Sequence, residues 1–367
     1  DQYAAIYYKF VADDVEYLSE TKNDSKQLSN RLKWIAYKDK FFSTVLISED
    51  GFEATNLASN LIPEGKFIKE CKTTTSVPFD LRGEKTTSLR YFFGPNKYNL
   101  LAAYDNDVPS ADKLELERLV PLGASVFRWI NQYFILPLFN FFGNFIGSYG
   151  LIIFLLTLLV KIILFPLTYK SYMSSAKMRV LKPKLDEATK QYDKPEDAMQ
   201  KQQAMMAEYS KYGVSPLSGC LPMLIQMPIW IAMFNFVPNA IQLRGQSFLW
   251  IKDLSTYDPI ISWSKNLWMI GDHISLTCIL FCGANLLYSW FTMKQQEDQM
   301  VGQQADQMKM MKWMMILMPL FFFFVFNDYS AGLNFYYFIS LFFSAAIMWA
   351  LRKTTNEEKL LHILEAH

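Results

Sequence analysis

Residues 151–169 read LIIFLLTLLVKIILFPLTY, nineteen positions of almost unbroken apolar side chain with one ammonium, Lys161, near the middle. About 20 residues at 1.5 Å rise cross a hydrocarbon core roughly 30 Å thick, so the stretch has the length of a membrane-spanning helix. A charge near the centre of such a helix costs about 2.5–3.5 kcal/mol on insertion scales, which directs Lys161 toward protein or water rather than lipid. Snorkelling to the headgroups is the simpler alternative. The path from Lys161 to Lys170 is about 13 Å of helix, though, roughly twice the reach of a lysine side chain. The segment therefore predicts a polar cavity within the membrane.

The rest of the chain divides around this span. Residues 1–122 look like an ordinary soluble domain, whereas 123–351 hold most of the Phe, Met and Trp in long apolar runs. The start, DQYAAIYYKF, shows no targeting segment, so the chain is expected to begin inside a longer protein with an upstream signal or anchor. Strand-like runs at 3–11, 32–37, 41–48 and 89–94, with a hairpin signal at Asp50-Gly51, predict an all-β sandwich incomplete at its amino end. Over 124–142, Ser125, Arg128 and Gln132 form a narrow polar stripe against a wide aromatic face. That suits a helix lying in the membrane interface, or equally one packed on the sandwich.

After the first span, 170–215 is polar and reads as two helices, 171–192 and 196–212, with a restart at Asp193-Lys194-Pro195-Glu196-Asp197. Met178, Leu181, Leu185, Ala188 and Tyr192, with Met199, Met206 and Tyr209 more loosely, predict an antiparallel hairpin joined along one seam. Apolar runs at 216–241, 267–291, 313–326 and 329–351 bring the expected spans to five. The fourth has fourteen apolar residues, about 21 Å of helix, so the bilayer is expected to thin there. Nine Lys and Arg in 170–215, three in 292–312 and three more after Leu351 put the hairpin, that loop and the tail in the cytoplasm and the β domain outside. Trp250, Trp263 and Trp268 would form an outer interfacial belt.

Chemistry is sparse. With three histidines, no HExxH, no serine beside a plausible base and no glycine-rich phosphate loop, the chain presents no catalytic constellation, no metal site and no cofactor site, and is not expected to be an enzyme. Asp272-His273 reads as an acid/base pair or, more simply, as an interfacial anchor. Cys71 stands alone in the soluble domain, and Cys278 and Cys282, four apart on a helix, read as packing residues. A formal charge of +1 gives no footprint for nucleic acid. The spans do carry scattered neutral polarity: Thr157 one turn before Lys161, Gln226, Asn235, Asn334 and the pair Tyr336-Tyr337. Together with an unpaired ammonium these imply a wet, cationic recess that would shelter a polar or acidic polypeptide segment part-way into the membrane.

The runs LLVKIILFPLTYKSYMSSAKMRVLKPKLDE, GVSPLSGCLPMLIQMPIWIAMFN, LWIKDLSTYDP and SAGLNFYYFIS, in order over about 145–351, resemble the core of the YidC/Oxa1/Alb3 family of membrane protein insertases. The β-rich region is similar to the carboxyl part of the large periplasmic domain of Gram-negative members. The resemblance implies an α-helical membrane protein of the bacterial inner membrane with a five-transmembrane-helix core at 146–351. That core would enclose a hydrophilic groove open to cytoplasm and lipid. A cytoplasmic helical hairpin (170–215), a partial all-β periplasmic sandwich (1–122), an interfacial amphipathic helix (123–145) and a cytoplasmic tail (352–367) complete it. Lys161 occupies the place where the family carries a positive residue, most often arginine. The charge is kept but the guanidinium fork is lost, and lysine can shed its proton when desolvated. Thr157 and Tyr337 fall at substrate-contacting positions, Gln226 on the groove side of the next span, with Asn334 and Tyr336 nearby. The implied partners are nascent membrane proteins, the Sec translocon, the ribosome and the lipid bilayer. The rival readings are a small-solute transporter and a non-translocating assembly factor.

Overall fold

The computed structural model describes residues 3–62, 66–192, 197–214, 221–267, 270–297 and 304–365. The helix restart at 193–196, Cys220 and Trp268 lie outside the described residues. The chain divides into two compact units, the first Asp1–Leu122 together with Asn239–Ile241, the second Gly123–Pro238 together with Gln242–His367.

In the first unit, β1 (Ala5–Phe10), β2 (Val15–Tyr17), β3 (Asp24–Leu28), β4 (Leu32–Lys38), β5 (Phe42–Leu61), β6 (Lys69–Ser76) and β7 (Leu89–Pro95) form one antiparallel sheet, followed by α1 (Tyr98–Ala102). A sandwich of two separate sheets is not what forms. The twenty-residue β5 runs through both halves, its first part pairing with β4 and β7 and its second with β3 and β6. The expected hairpin at Asp50-Gly51 is likewise absent. Gly51 does take a positive φ (+83°), but it serves an irregularity inside a single strand, where the register against β4 slips between Leu32 and Trp34. Such a bulge sharpens twist, and the two halves share one core of Ile6, Tyr8, Leu32, Ile35, Phe52 and Leu57, with Leu28 and Cys71 packed against it. Trp34 is fully buried and donates its indole N–H to the Leu114 carbonyl at 2.6 Å.

The second unit opens with α2 (Ser125–Ile130), a five-residue π turn (Asn131–Ile135) and α3 (Leu136–Gly143). Its exposed face is apolar, with Val126, Trp129, Tyr133 and Phe141. Arg128 and Gln132 are half-buried. The π turn carries Asn131 to the interior, where its amide donates to Ala232 O at 2.8 Å.

The long α4 (Tyr149–Val180) has 32 residues, about 48 Å, so it continues past the predicted boundary at Lys170. KSYMSSAKMRV offers no glycine or proline to stop it, and the first break comes at Leu181, before Pro183. Then α5 (Lys182–Thr189) and α6 (Ala198–Lys211) form the hairpin, sealed by Met178, Leu181, Leu185, Tyr209 and Val214, while Met199 and Met206 stay exposed. The nineteen-residue α7 (Leu221–Asn239) follows, with Pro228 inside it. The run 267–291 is not one helix: Leu267 ends β8 (Pro259–Leu267), Gly271–Ser275 form β9, which pairs antiparallel with β8, and α8 (Leu276–Glu297) starts only afterwards. Then come α9 (Gln304–Phe326), α10 (Ala331–Thr354) and α11 (Glu357–Glu365). Among the described residues three helices are long and apolar enough to cross a membrane: Tyr149–Val180, Leu276–Gln295 and Ala331–Thr354; Trp313–Phe326 is a shorter apolar helix.

The loop LWIKDLSTYDP caps two of these helices. Leu254 O accepts from Gly332 N (2.9 Å) and Thr256 O from Ala331 N (2.6 Å), satisfying first-turn donors of α10. Asp258 does the same for α8, taking Thr277 N at 3.1 Å, Thr277 Oγ1 at 2.5 Å and Ser275 Oγ at 2.6 Å. The close approach at α10 requires glycine, since a Cβ on Gly332 would sit 2.8 Å from the Leu254 carbonyl oxygen. Gly332→Ala is therefore expected to destabilise the fold by about 1–3 kcal/mol, measured as a lowered thermal midpoint in detergent. An unchanged midpoint would show that the loop yields freely.

Candidate functional site

Helix α10 packs against both α4 and α8, and α4 carries Lys161 into this assembly. The side chain is buried, 7% exposed, with the ammonium donating to Ser344 Oγ at 2.7 Å. Ser344 Oγ in turn donates to Ser340 O at 3.0 Å. From α7, the Gln226 amide, turned in the orientation that satisfies both its ends, accepts from Lys161 Nζ at 2.8 Å and from Trp230 Nε1 at 2.9 Å. The Tyr337 hydroxyl closes the set by donating to Trp230 O at 3.0 Å, with the two rings 5.8 Å apart. A continuous polar thread thus ties α4, α7 and α10 together inside apolar surroundings. The described residues give the ammonium's three N–H donors two neutral acceptors, and no carboxylate pairs with it.

This geometry joins Lys161, Gln226 and Tyr337 and leaves the other predicted residues elsewhere. Thr157 shares the face of Lys161, but its hydroxyl folds back on Ile153 O at 2.7 Å. Asn334 is fully buried and donates to Phe326 O at 3.1 Å, while its Oδ1 has no hydrogen-bond partner among the described residues. Tyr336 is buried with its ring 5.3 Å from that of Tyr337. Of the six, Gln226 is partly exposed and the other five are buried. Ser340, Ser344 and Trp230 went unpredicted. The signal was present in Tyr337, Ser340 and Ser344, which recur at three and four on one helix face.

At the far end of α4, α11 docks. Leu360 packs with Tyr172, Ala176 and Leu351, and Leu364 joins the hairpin seam. Arg179 pairs with Glu357 at 2.7 Å, and Lys184 with Glu365 at 2.7 Å. The Lys184 hydrogen bond holds the Glu365 carboxyl below the usual carboxylate range. Hydrogen bonds to Glu365 and then Tyr212 hold Lys184 above the usual lysine range. A lowered carboxylate contributes above its unfolded value and is lost as pH falls through its folded one; a raised lysine is lost only as pH rises through its own. The pair should therefore grip evenly from about pH 5 to pH 10 and loosen in acid. A spin label on Ile363→Cys is expected to gain mobility below about pH 4 and to stay constant from pH 6 to 9. Equal mobility throughout would remove the pair from any role in holding the last turn.

Opposite this end, His273 is buried, stacked on Tyr257 at 3.6 Å, with Nδ1 2.8 Å from Asp272 Oδ1 and Nε2 3.0 Å from Asn327 O. The hydrogen bond from His273 holds Asp272 below the usual carboxylate range. Asn327 adds bonds to Ser275 N, Ile270 O and His273 O. The cluster pins β9 to the turn between α9 and α10.

An apolar helical unit with a buried polar thread, following a β-rich unit, defines a polytopic membrane protein with an extramembrane domain. The profile of the 60Kd inner membrane protein family matches residues 141–359, more than half of the chain, and that of the YidC periplasmic domain matches residues 1–137. The chain belongs to this YidC family of inner-membrane proteins. The membrane protein insertase YidC of Parabacteroides distasonis is 56% identical over 371 residues, covering 100% of this chain and 58% of that protein. The proteins of the same name from Bacteroides fragilis (strain ATCC 25285) and Porphyromonas gingivalis (strain W83) are 50% and 42% identical, covering 99% and 100% of this chain and 58% and 59% of theirs. The chain thus spans a little under three fifths of the length of these relatives. A crystal structure of an active YidC insertase with its first transmembrane domain resolved aligns at a TM-score of 0.44 and 22% identity, over 95% of this chain and 76% of that one.

Proposed function

We propose that the chain inserts inner-membrane proteins and helps them fold, without enzymatic turnover, using the polar thread at Lys161 as the groove floor. In this reading α4, α7, α8, α9 and α10 are the five spans, α2 and α3 lie in the interface with Trp129 and Tyr133 toward the headgroups, and the β-rich unit is periplasmic. The hairpin and α11 are cytoplasmic. A nascent segment first meets the hairpin, where Met199 and Met206 offer adaptable apolar contact. It then parts α4 from α7. Separation frees the Lys161 ammonium from Gln226 while Ser344 keeps hold of it, so the charge is presented to the substrate's polar flank without first being stranded. Apolar transfer of the substrate, about 25 cal/mol per Å² buried, supplies the driving force. Ribosome and Sec translocon are the proposed partners that deliver and accept it.

The observation carrying this reading is the buried ammonium held by neutral partners on two other helices in a chain of the insertase family. Photocrosslinkers at Gln226, Thr157 and Tyr337 are expected to capture a single-span substrate during its synthesis, several-fold more than crosslinkers at Ile162 and Ile163, which face outward. Equal capture at all five positions would place the pathway elsewhere.

A further inference from the structure

A small cavity at the hairpin end of α4, α8 and α10 is lined by Tyr172, Arg179, Phe291, Gln295, Met348 and Arg352. Tyr172 and Arg179 are buried, 4% and 9% exposed. The Tyr172 hydroxyl and Arg179 Nε have no hydrogen-bond partner among the described residues, and Arg179 Nη2 lies 2.7 Å from Glu357 Oε1 without hydrogen-bond alignment. Leaving a buried donor unmade costs about 1–3 kcal/mol, more when it is charged. Two such donors at one cavity, beside a second guanidinium, make a donor set lacking its acceptor, of the kind an anion completes.

Size and depth narrow the ligand. The cavity has about 10 Å³ of room, which admits about one oxygen-sized atom. An anion must therefore enter by a single oxygen and keep its bulk outside. Tyr172 and Arg352 lie roughly 32–35 Å along α4 and α10 from the helix starts, about one hydrocarbon thickness, which puts them at headgroup level. Phe291 and Met348 supply apolar walls for the rest of such a molecule. We propose that this cavity binds a phosphate oxygen of an anionic lipid headgroup through Arg179, Arg352 and the Tyr172 hydroxyl. The site is separate from the Lys161 thread, and its occupation does not depend on insertase activity.

Native mass spectrometry of the delipidated chain, titrated with phosphatidylglycerol or phosphatidylcholine, tests this directly. One phosphatidylglycerol should bind at least about tenfold more tightly than phosphatidylcholine, and Arg352→Gln and Tyr172→Phe should each weaken it by up to about tenfold. Tyr172→Phe removes a single oxygen, so it remains informative if Arg352→Gln fails to fold. Wild-type affinity in the folded variants, or no preference between the two lipids, overturns the proposal. Displacement by millimolar inorganic phosphate overturns the lipid assignment and leaves a site for free phosphate.

Discussion

Lys161→Met is expected to make the protein more stable, by about 1–2 kcal/mol, while lowering, under the function proposed above, the insertion of single-span substrates by about tenfold. The two effects share a cause. Lys161 is 7% exposed and held by neutral partners, so its ammonium is desolvated without a countercharge to offset the cost. Methionine fills nearly the same volume and carries no charge to desolvate. What remains after substitution is tolerable, since Gln226 keeps its bond from Trp230 Nε1 and Ser344 keeps its bond to Ser340 O. Lys161→Arg should retain most activity, and Lys161→Glu should retain less than Lys161→Met. Thermal melts in detergent read the first effect, and protease protection of a reconstituted substrate reads the second. A methionine variant that inserts at the wild-type rate would dismiss the ammonium from the mechanism.

Asp258→Ala should have the largest effect on stability, about 3 kcal/mol. Its carboxylate accepts from Thr277 N, Thr277 Oγ1, Ser275 Oγ and, at 3.2 Å, Trp250 Nε1. Charge-assisted bonds are each worth about 1.5–3 kcal/mol, although members of one cluster do not add. The carboxylate also faces the positive end of the α8 dipole. Asp258→Asn keeps an acceptor and loses the charge, so a cost of about 1 kcal/mol is expected. Denaturation of both variants checks the ordering. An alanine variant within 0.5 kcal/mol of wild type would mean that solvent replaces the cap, a bound set by ordinary surface substitutions of about that size.

Some features of this chain are written locally. The length and composition of 151–169 identify α4 as a span, and the β-rich runs at 32–37 and 41–48 identify β4 and the first part of β5. Such features follow from residues within a few positions of one another, and those neighbours persist whatever the rest of the chain does. The errors arose where one local signal serves two structures. A positive φ at Gly51 suits a hairpin turn or a bulge, and only pairing with β3, β4, β6 and β7 selects the latter. The apolar run from 267 suits helix or strand, and the switch at Leu276 is made by Asp258, whose cap bonds reach back from Thr277.

By itself, then, the sequence determined that an ammonium sits within a membrane-length helix and that no acid accompanies it in the same span. Only the tertiary structure decided who holds that ammonium. Ser344 stands 183 positions away along the chain, and Gln226 is on a third helix. Hydrophobic length is a property of a segment, whereas a hydrogen-bond partner is a property of packing. The same serine on a differently rotated α10 would face lipid and leave the lysine alone.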